Sequence, residues 1–308
     1  MPEITADLVK RLREKTGAGM MDCKKALTEN RGDIESSVDW LRTKGLAAAA
    51  KKADRAASEG LVGLVVENNV GAIVEINTET DFVSRNESFQ KVVYSVAKVA
   101  LTAGDHIETI KSSPYPETGR TVDDEITHQI ATIGENMMLR RAAKLSVNNG
   151  VLSSYLHGAI VPGLGKIGVL VALESKGNVE KLQELGKQLA MHIAASKPIA
   201  ITRADLDEIT IDRERAIFYE QARESGKPPE IIDKMVEGRL RKYFEEVCFF
   251  EQTFVIDGES KISKIIESAE SDLKESINLA GFKLLVLGDG VEKKEEDFAA
   301  EVAAAASN

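Results

Sequence analysis

The residues with the most obvious chemical potential are Gly163, Gly165 and Gly168, which with Lys166 spell G-x-G-x-x-G. Such a loop cradles phosphate when its glycines open a helix, because the helix's free N–H groups then point at the anion. Here the apolar run 169–173 that follows is strand-like, so the context is that of a hairpin turn. A Walker loop would need Ser or Thr after Lys166 and Gly at 160, where Ile167 and Ile160 stand. A kinase-type glycine loop does lie between strands, but neither H-R-D nor D-F-G follows. The four histidines, His106, His128, His157 and His192, have no metal-ligand spacing, and G-x-S-x-G is absent. No catalytic residue, metal ligand or cofactor is expected.

Two apolar features lie outside any enzyme pattern. Met20 and Met21 follow Gly17-Ala18-Gly19 at the entry to a helix, with Lys24 and Lys25 on the same helix. Thioethers there suit either a pliable partner contact or the filling of a small core. The segment Thr80-Asp81-Phe82-Val83 puts an aromatic in a polar loop, where Phe82 either probes a partner or covers the edge of its own sheet.

The elements that must position these residues follow from periodicity. Thr5 caps a helix carrying Leu8 and Leu12, a second helix runs over 21–27, and Gly32-Asp33 recaps a third that carries Ile34, Val38 and Leu41 and stops near Gly45. An alanine- and lysine-rich connector, 47–57, leads to β-branched runs at 60–66 and 71–77 that read as a hairpin. Helices are expected from Phe89 to Ala100 and over 126–143. Strands at 160–161 and 169–173 with a helix over 182–195 repeat the order about 97 residues later, an internal duplication. Only the first copy carries the 78–86 insertion that holds Phe82. A charged stretch, 203–247, reads as a helical hairpin, with Asp212 as one cap, a turn at 225–229 and a stripe of Ile232, Val236, Leu240, Tyr243 and Val247. A strand near Phe254-Val255, a helix over 261–278, a strand over 282–287 and a short helix over 298–302 complete the expectation.

Composition agrees with a soluble globular chain of more than one unit: 308 residues, 43% hydrophobic and 29% charged. A formal net charge of −10 argues against nucleic acid as a partner. Cys23 and Cys248 lie far apart in sequence, which fits reduced thiols. Neither a leader-like N-terminus nor a run long enough to span a bilayer is present, and the expected location is cytoplasmic, away from membranes.

Several motifs, in order, carry a resemblance: LREKTGAGMMDCKKAL at 12–27, Gly32-Asp33-Ile34-Glu35, Thr80-Asp81-Phe82-Val83, Ile133-Gly134-Glu135-Asn136, MHIAASKP at 191–198, KMVEGR at 234–239, Gln252 with Phe254-Val255, and DFAAEV at 297–302. Together they resemble the family of bacterial translation elongation factor Ts, the exchange factor of the GTPase elongation factor Tu. The resemblance implies an α+β fold with a three-helix ubiquitin-associated-like N-terminal domain (1–55) and two duplicated α+β subdomains (56–145 and 146–288). An antiparallel coiled-coil hairpin (about 203–247) is inserted in the second, and a C-terminal module (289–308) ends the chain. It implies that Thr80, Asp81, Phe82 and Val83 dislodge magnesium from the GTPase to promote GDP release. Arg13, Met20, Met21 and Lys24 then contact its nucleotide domain. Homodimerisation within the complex, through the core or the hairpin, stays open. The connections 104–124 and 161–166 depart from the family. Two other readings remain beside it: a nucleotide-using enzyme built on the Lys166 loop, and a passive adaptor that docks without changing nucleotide release.

Overall fold

A computed structural model describes residues 4–16, 18–116 and 118–291. Three helices open it: α1 (Ala6–Thr16), α2 (Met20–Glu29) and α3 (Ile34–Ala50). Leu12, Cys23, Ala26 and Leu27 are fully buried between them, and Val9, Ile34, Val38 and Leu41 complete the small core. Asp33 caps α3 by accepting the Ser36 N–H at 2.7 Å. That helix runs through Gly45 rather than stopping there, because its C-terminal half lies on the later helix Val122–Ile133 and Ala49 joins the core beyond.

The next elements are β1 (Glu59–Glu67), β2 (Val70–Thr78), α4 (Glu87–Ala103), α5 (Ile107–Ser112), α6 (Val122–Ile133) and β3 (Met137–Ser146). After them come β4 (Gly150–His157), β5 (Leu164–Gly165), β6 (Ile167–Glu174) and α7 (Val179–Ser196). The chain continues with α8 (Glu208–Arg223), α9 (Pro229–Val247), α10 (Ile262–Leu273) and β7 (Asn278–Val286). The α+β class expected from the sequence is what the chain adopts. One sheet has the order β3-β2-β1-β5 and the other β4-β6-β7, all antiparallel.

The two sheets meet face to face through Val62, Leu64, Ile73, Leu152, Leu170 and Leu285. Phe89, Val93 and Ile126, from α4 and α6, cover the outer face of the first; Leu182, Leu189 and Ile266, from α7 and α10, cover that of the second. Gly71 and Gly168 permit this closeness, since a Cβ on Gly71 would sit 2.7 Å from Leu152 and one on Gly168 would sit 2.8 Å from Val62. Each would crowd packed side chains of the opposite sheet, Leu152 and Leu170 against the first and Val62 against the second.

Four readings from periodicity are corrected. Residues 137–143 are strand, not helix: α6 ends on the left-handed Gly134, and Met137 and Leu139 then alternate with exposed Met138 along β3. Ile160-Val161 belongs to the turn before β5, while the true partner of β6 is β4, whose serines mask its alternation. Phe254-Val255 forms a turn rather than a strand. Asp207, not Asp212, caps α8 by accepting the Ile209 N–H. Gly17 and the expected helix at 298–302, with most of 289–308, lie outside the described residues.

The glycine loop is a turn between strands. Leu164-Gly165 pairs with Val62-Gly63 on β1, and no helix follows Gly168. Helices α8 and α9 pack as a hairpin through Ala222, Ile232, Val236 and Leu240, with Pro229 opening α9. Arg203 anchors its base, donating two bonds to Glu251 at 2.5 and 2.6 Å while its guanidinium lies 4.5 Å from the Phe244 ring centroid.

Candidate functional site

Strand β2 ends at Thr78, and the chain then enters a tight 3-10 turn over Asp81–Arg85 before α4. The turn is held on its far side by its own side chains. Ser84 Oγ donates to the Asp81 carbonyl at 2.5 Å, Gln90 Nε2 donates to the Ser84 carbonyl at 2.9 Å, and Asn86 caps α4 by accepting the Ser88 and Phe89 N–H groups. Val83, 5% exposed, plugs into the first core. Its neighbour Phe82 points the other way and is 78% exposed, the largest value for a bulky apolar side chain among the described residues. A ring that covered the edge of its own sheet would be buried, so that reading of Phe82 is overturned.

The near side of the turn is held across the sheet. Glu135 Oε2 accepts the Thr78 hydroxyl at 3.0 Å and the Thr80 N–H at 2.9 Å, and Oε1 accepts the Thr80 hydroxyl at 2.6 Å. In return Glu79 accepts the Asn136 N–H at 2.6 Å. Glu79 also pairs with Arg55 at 3.5 Å, and Asn136 Nδ2 donates to the carbonyls of Ala53 and Arg55 at 3.3 and 2.8 Å. The segment that leads from the three-helix unit into β1 is thus tied to the base of the Phe82 turn. Glu135 and Asn136 stand in the sequence only as part of a motif. Their bonding follows from Gly134, which reverses the chain at the end of α6 and brings them beside residues 78–80.

The other site residues lie on the first two helices. Met20 and Met21, 60% and 76% exposed, form the first turn of α2, so the reading in which they fill the small core is also overturned. Cys23, Ala26 and Leu27 do that work. Lys24 lies one turn beyond Met20, and Arg13 is exposed on α1. Asp22 pairs with Lys44 and Lys15 with Glu35, fixing α2 and α1 to α3. The structure therefore gathers Thr80, Asp81, Phe82 and Val83 into one turn, and Met20, Met21 and Lys24 onto one helix end, in separate parts of the chain.

Among the described residues nothing else competes as chemistry. His192 is fully buried, accepting the Val255 N–H on Nδ1 at 3.3 Å and bonding Gln252 Oε1 through Nε2 at 2.9 Å, against Phe249 and Phe254. Burial holds its pKa below the ordinary imidazole value, with the Gln252 bond opposing. Among the described residues no three His, Cys, Asp or Glu side chains are grouped as metal ligands, and no helix is long and apolar enough to cross a membrane. What the site offers is a rigid, protruding aromatic and a pair of exposed thioethers, which are means of gripping another protein.

A family model described as Elongation factor TS matches residues 79–288. The chain is similar to the elongation factor Ts of Rhodospirillum centenum, 61% identical over 306 residues that cover 99% of this chain and 100% of the relative. It is 60% identical to that of Paramagnetospirillum magneticum over 99% of this chain and 98% of the relative. The elongation factor Ts of Parvibaculum lavamentivorans is 55% identical, with 99% of each chain covered.

Proposed function

The chain belongs to the elongation factor Ts family, and from that premise we propose that it is the guanine nucleotide exchange factor of elongation factor Tu in translation. It acts in the cytoplasm on a GTPase and makes or breaks no covalent bond itself. It binds the GDP form, promotes GDP release and holds the emptied GTPase until GTP enters.

The observation that carries the finer reading is Phe82, a solvent-facing ring on a turn pinned from both sides. Phe82 inserts between elements of the GTPase while Asp81 anchors the turn, and the shift displaces backbone that ligates magnesium. That ion demands near-octahedral geometry at about 2.0–2.1 Å and tolerates small ligand displacements poorly. GDP then leaves.

The energetics call for more than one contact. A thousandfold preference for the empty GTPase needs about 4 kcal/mol of coupling, and linkage makes the nucleotide weaken binding of the factor by the same ratio. Burying one Phe contributes roughly 1.5–3 kcal/mol. Met20, Met21, Lys24 and Arg13 supply a second grip on the nucleotide domain.

The test is stopped-flow release of fluorescent GDP from the cognate GTPase. Phe82→Ala should slow catalysed release more than it weakens the complex. Ile209→Ala, which trims an apolar side chain 77% exposed on α8, should leave it unchanged. Equal slowing by both would overturn the role given to Phe82.

A further inference from the structure

We infer that Glu135 is a positioning residue for exchange: its carboxylate sets the pose in which Phe82 meets the GTPase. The inference rests on the exchange reading above and adds to it a residue that does not itself reach the partner.

Glu135 is half-buried, and both its oxygens are committed inward to Thr78 and Thr80. With Glu79 holding the Asn136 N–H, the segments 78–80 and 135–136 clasp each other in both directions. Two residues past Thr80 comes Phe82. On the other side the turn is fastened through Val83, Ser84 and Asn86. Remove the Glu135 carboxylate and the near side keeps only the Glu79 bond to Asn136, which does not reach Thr80, so Phe82 samples orientations of which few fit the GTPase. Ordering the ring then has to happen during the reaction, which lowers the rate at saturation more than it lowers affinity. Hydrogen bonds to a carboxylate are among the stronger ones, and three converge here.

The experiment is saturation kinetics of GDP release from the cognate GTPase with the full chain carrying E135A, E135Q, F82A and the F82A/E135A pair. E135A should lower the saturating rate about tenfold, the equivalent of one charge-assisted hydrogen bond, while half-saturation moves less than about threefold. E135Q should keep most of the rate, because the amide oxygen still accepts from the Thr80 N–H and the Thr78 hydroxyl while its NH2 can donate to the Thr80 hydroxyl. The pair should be no slower than F82A alone. In the free protein, E135A should speed hydrogen exchange at the Thr80 amide.

With these variants any of the following overturns the proposal: E135A at the wild-type rate, E135Q as slow as E135A, or E135A slowing the F82A protein by the full factor. The second would assign the charge a direct effect on the partner. Should E135A fold poorly, Thr80→Val, which removes only the 2.6 Å hydroxyl bond, must show a smaller loss in the same rate, and a wild-type rate there also overturns it. Failure of the exchange reading is distinguishable, since the wild-type chain then leaves GDP release at its spontaneous rate.

Discussion

Glu75 and Ala172 hold matching places in the two sheets, each on an inner strand at the bulge where pairing with the next strand slips by one residue. In the first sheet the bulge carries charge. Glu75, fully buried, accepts from Arg140 at 3.2 Å, from Arg141 at 2.5 Å, from Asn77 at 3.0 Å and from the Gly288 N–H at 2.9 Å. Arg141 also donates to the Val286 carbonyl and Arg140 to that of Asp289, so the cluster bolts the first sheet to the end of β7. In the second sheet Ala280 and Gly281 stand where the arginines do, and no ion pair is called for.

Glu75→Ala should therefore destabilise the fold by about 3 kcal/mol, because it leaves two arginines facing a buried gap. Urea unfolding followed by circular dichroism measures this. A midpoint within error of wild type would show that the cluster is dispensable.

Phe82 and Val83 are adjacent but should behave oppositely. Phe82→Ala should change stability by no more than about 0.5 kcal/mol, as expected of an exposed side chain, while slowing exchange. Val83→Ala should cost roughly 2 kcal/mol of stability by removing two buried methyl groups. Paired denaturation and GDP-release measurements on both variants check the division.

Acid should weaken the fold through His192. Burial depresses its pKa in the folded state, so the unfolded chain takes the proton first. Its contribution is whole above the unfolded value of about 6.5 and is lost as pH falls from there toward the folded pKa, by at most about 1.4 kcal/mol per pH unit. His128 adds to the same slope, its pKa lowered by burial and then by Arg120, with Glu125 opposing. Denaturation midpoints between about pH 8 and pH 5 should fall on the acid side, and His192→Gln should flatten that limb. An unchanged limb in the variant would assign the slope elsewhere.

Burial pushes the Cys248 thiol up to about 11, helped by Glu251 and opposed by Arg203, and it raises Cys23 as well. At pH 8 on the order of one Cys248 in a thousand is ionised, and its sulfur is enclosed. Native protein should therefore resist iodoacetamide and label at both positions only after unfolding. Labelling of Cys248 at the rate of a free thiol would contradict this.

The parts of the molecule readable from residue order were those with strong local rules. Asp33 as a cap, Pro229 at the start of α9, the hairpin of β1 and β2 and the Ile232, Val236 and Leu240 part of the α9 stripe follow from short-range spacing, whereas Phe244 rather than Tyr243 or Val247 carries that packing on toward the helix end. What escaped was decided at long range. Residues 137–146 contain Met, Leu, Arg, Ala and Lys, good helix formers, yet they lie along β2 because only there do Met137 and Leu139 reach the core while Arg140 and Arg141 reach Glu75. The same holds at the site. Phe82 stands out as an aromatic in a polar loop, but that Glu135 holds the loop depends on two segments more than fifty residues apart meeting beside the sheet.

The two-residue strand Leu164–Gly165 follows β4 and leads into β6 of one sheet but completes the other. A fragment ending at β4 contains every other strand of that other sheet yet leaves the outer rim of β1 unpaired. Such rims recruit foreign strands. Closing even that part of the rim takes residues from beyond β4, and a fragment ending there should aggregate more readily than the full chain.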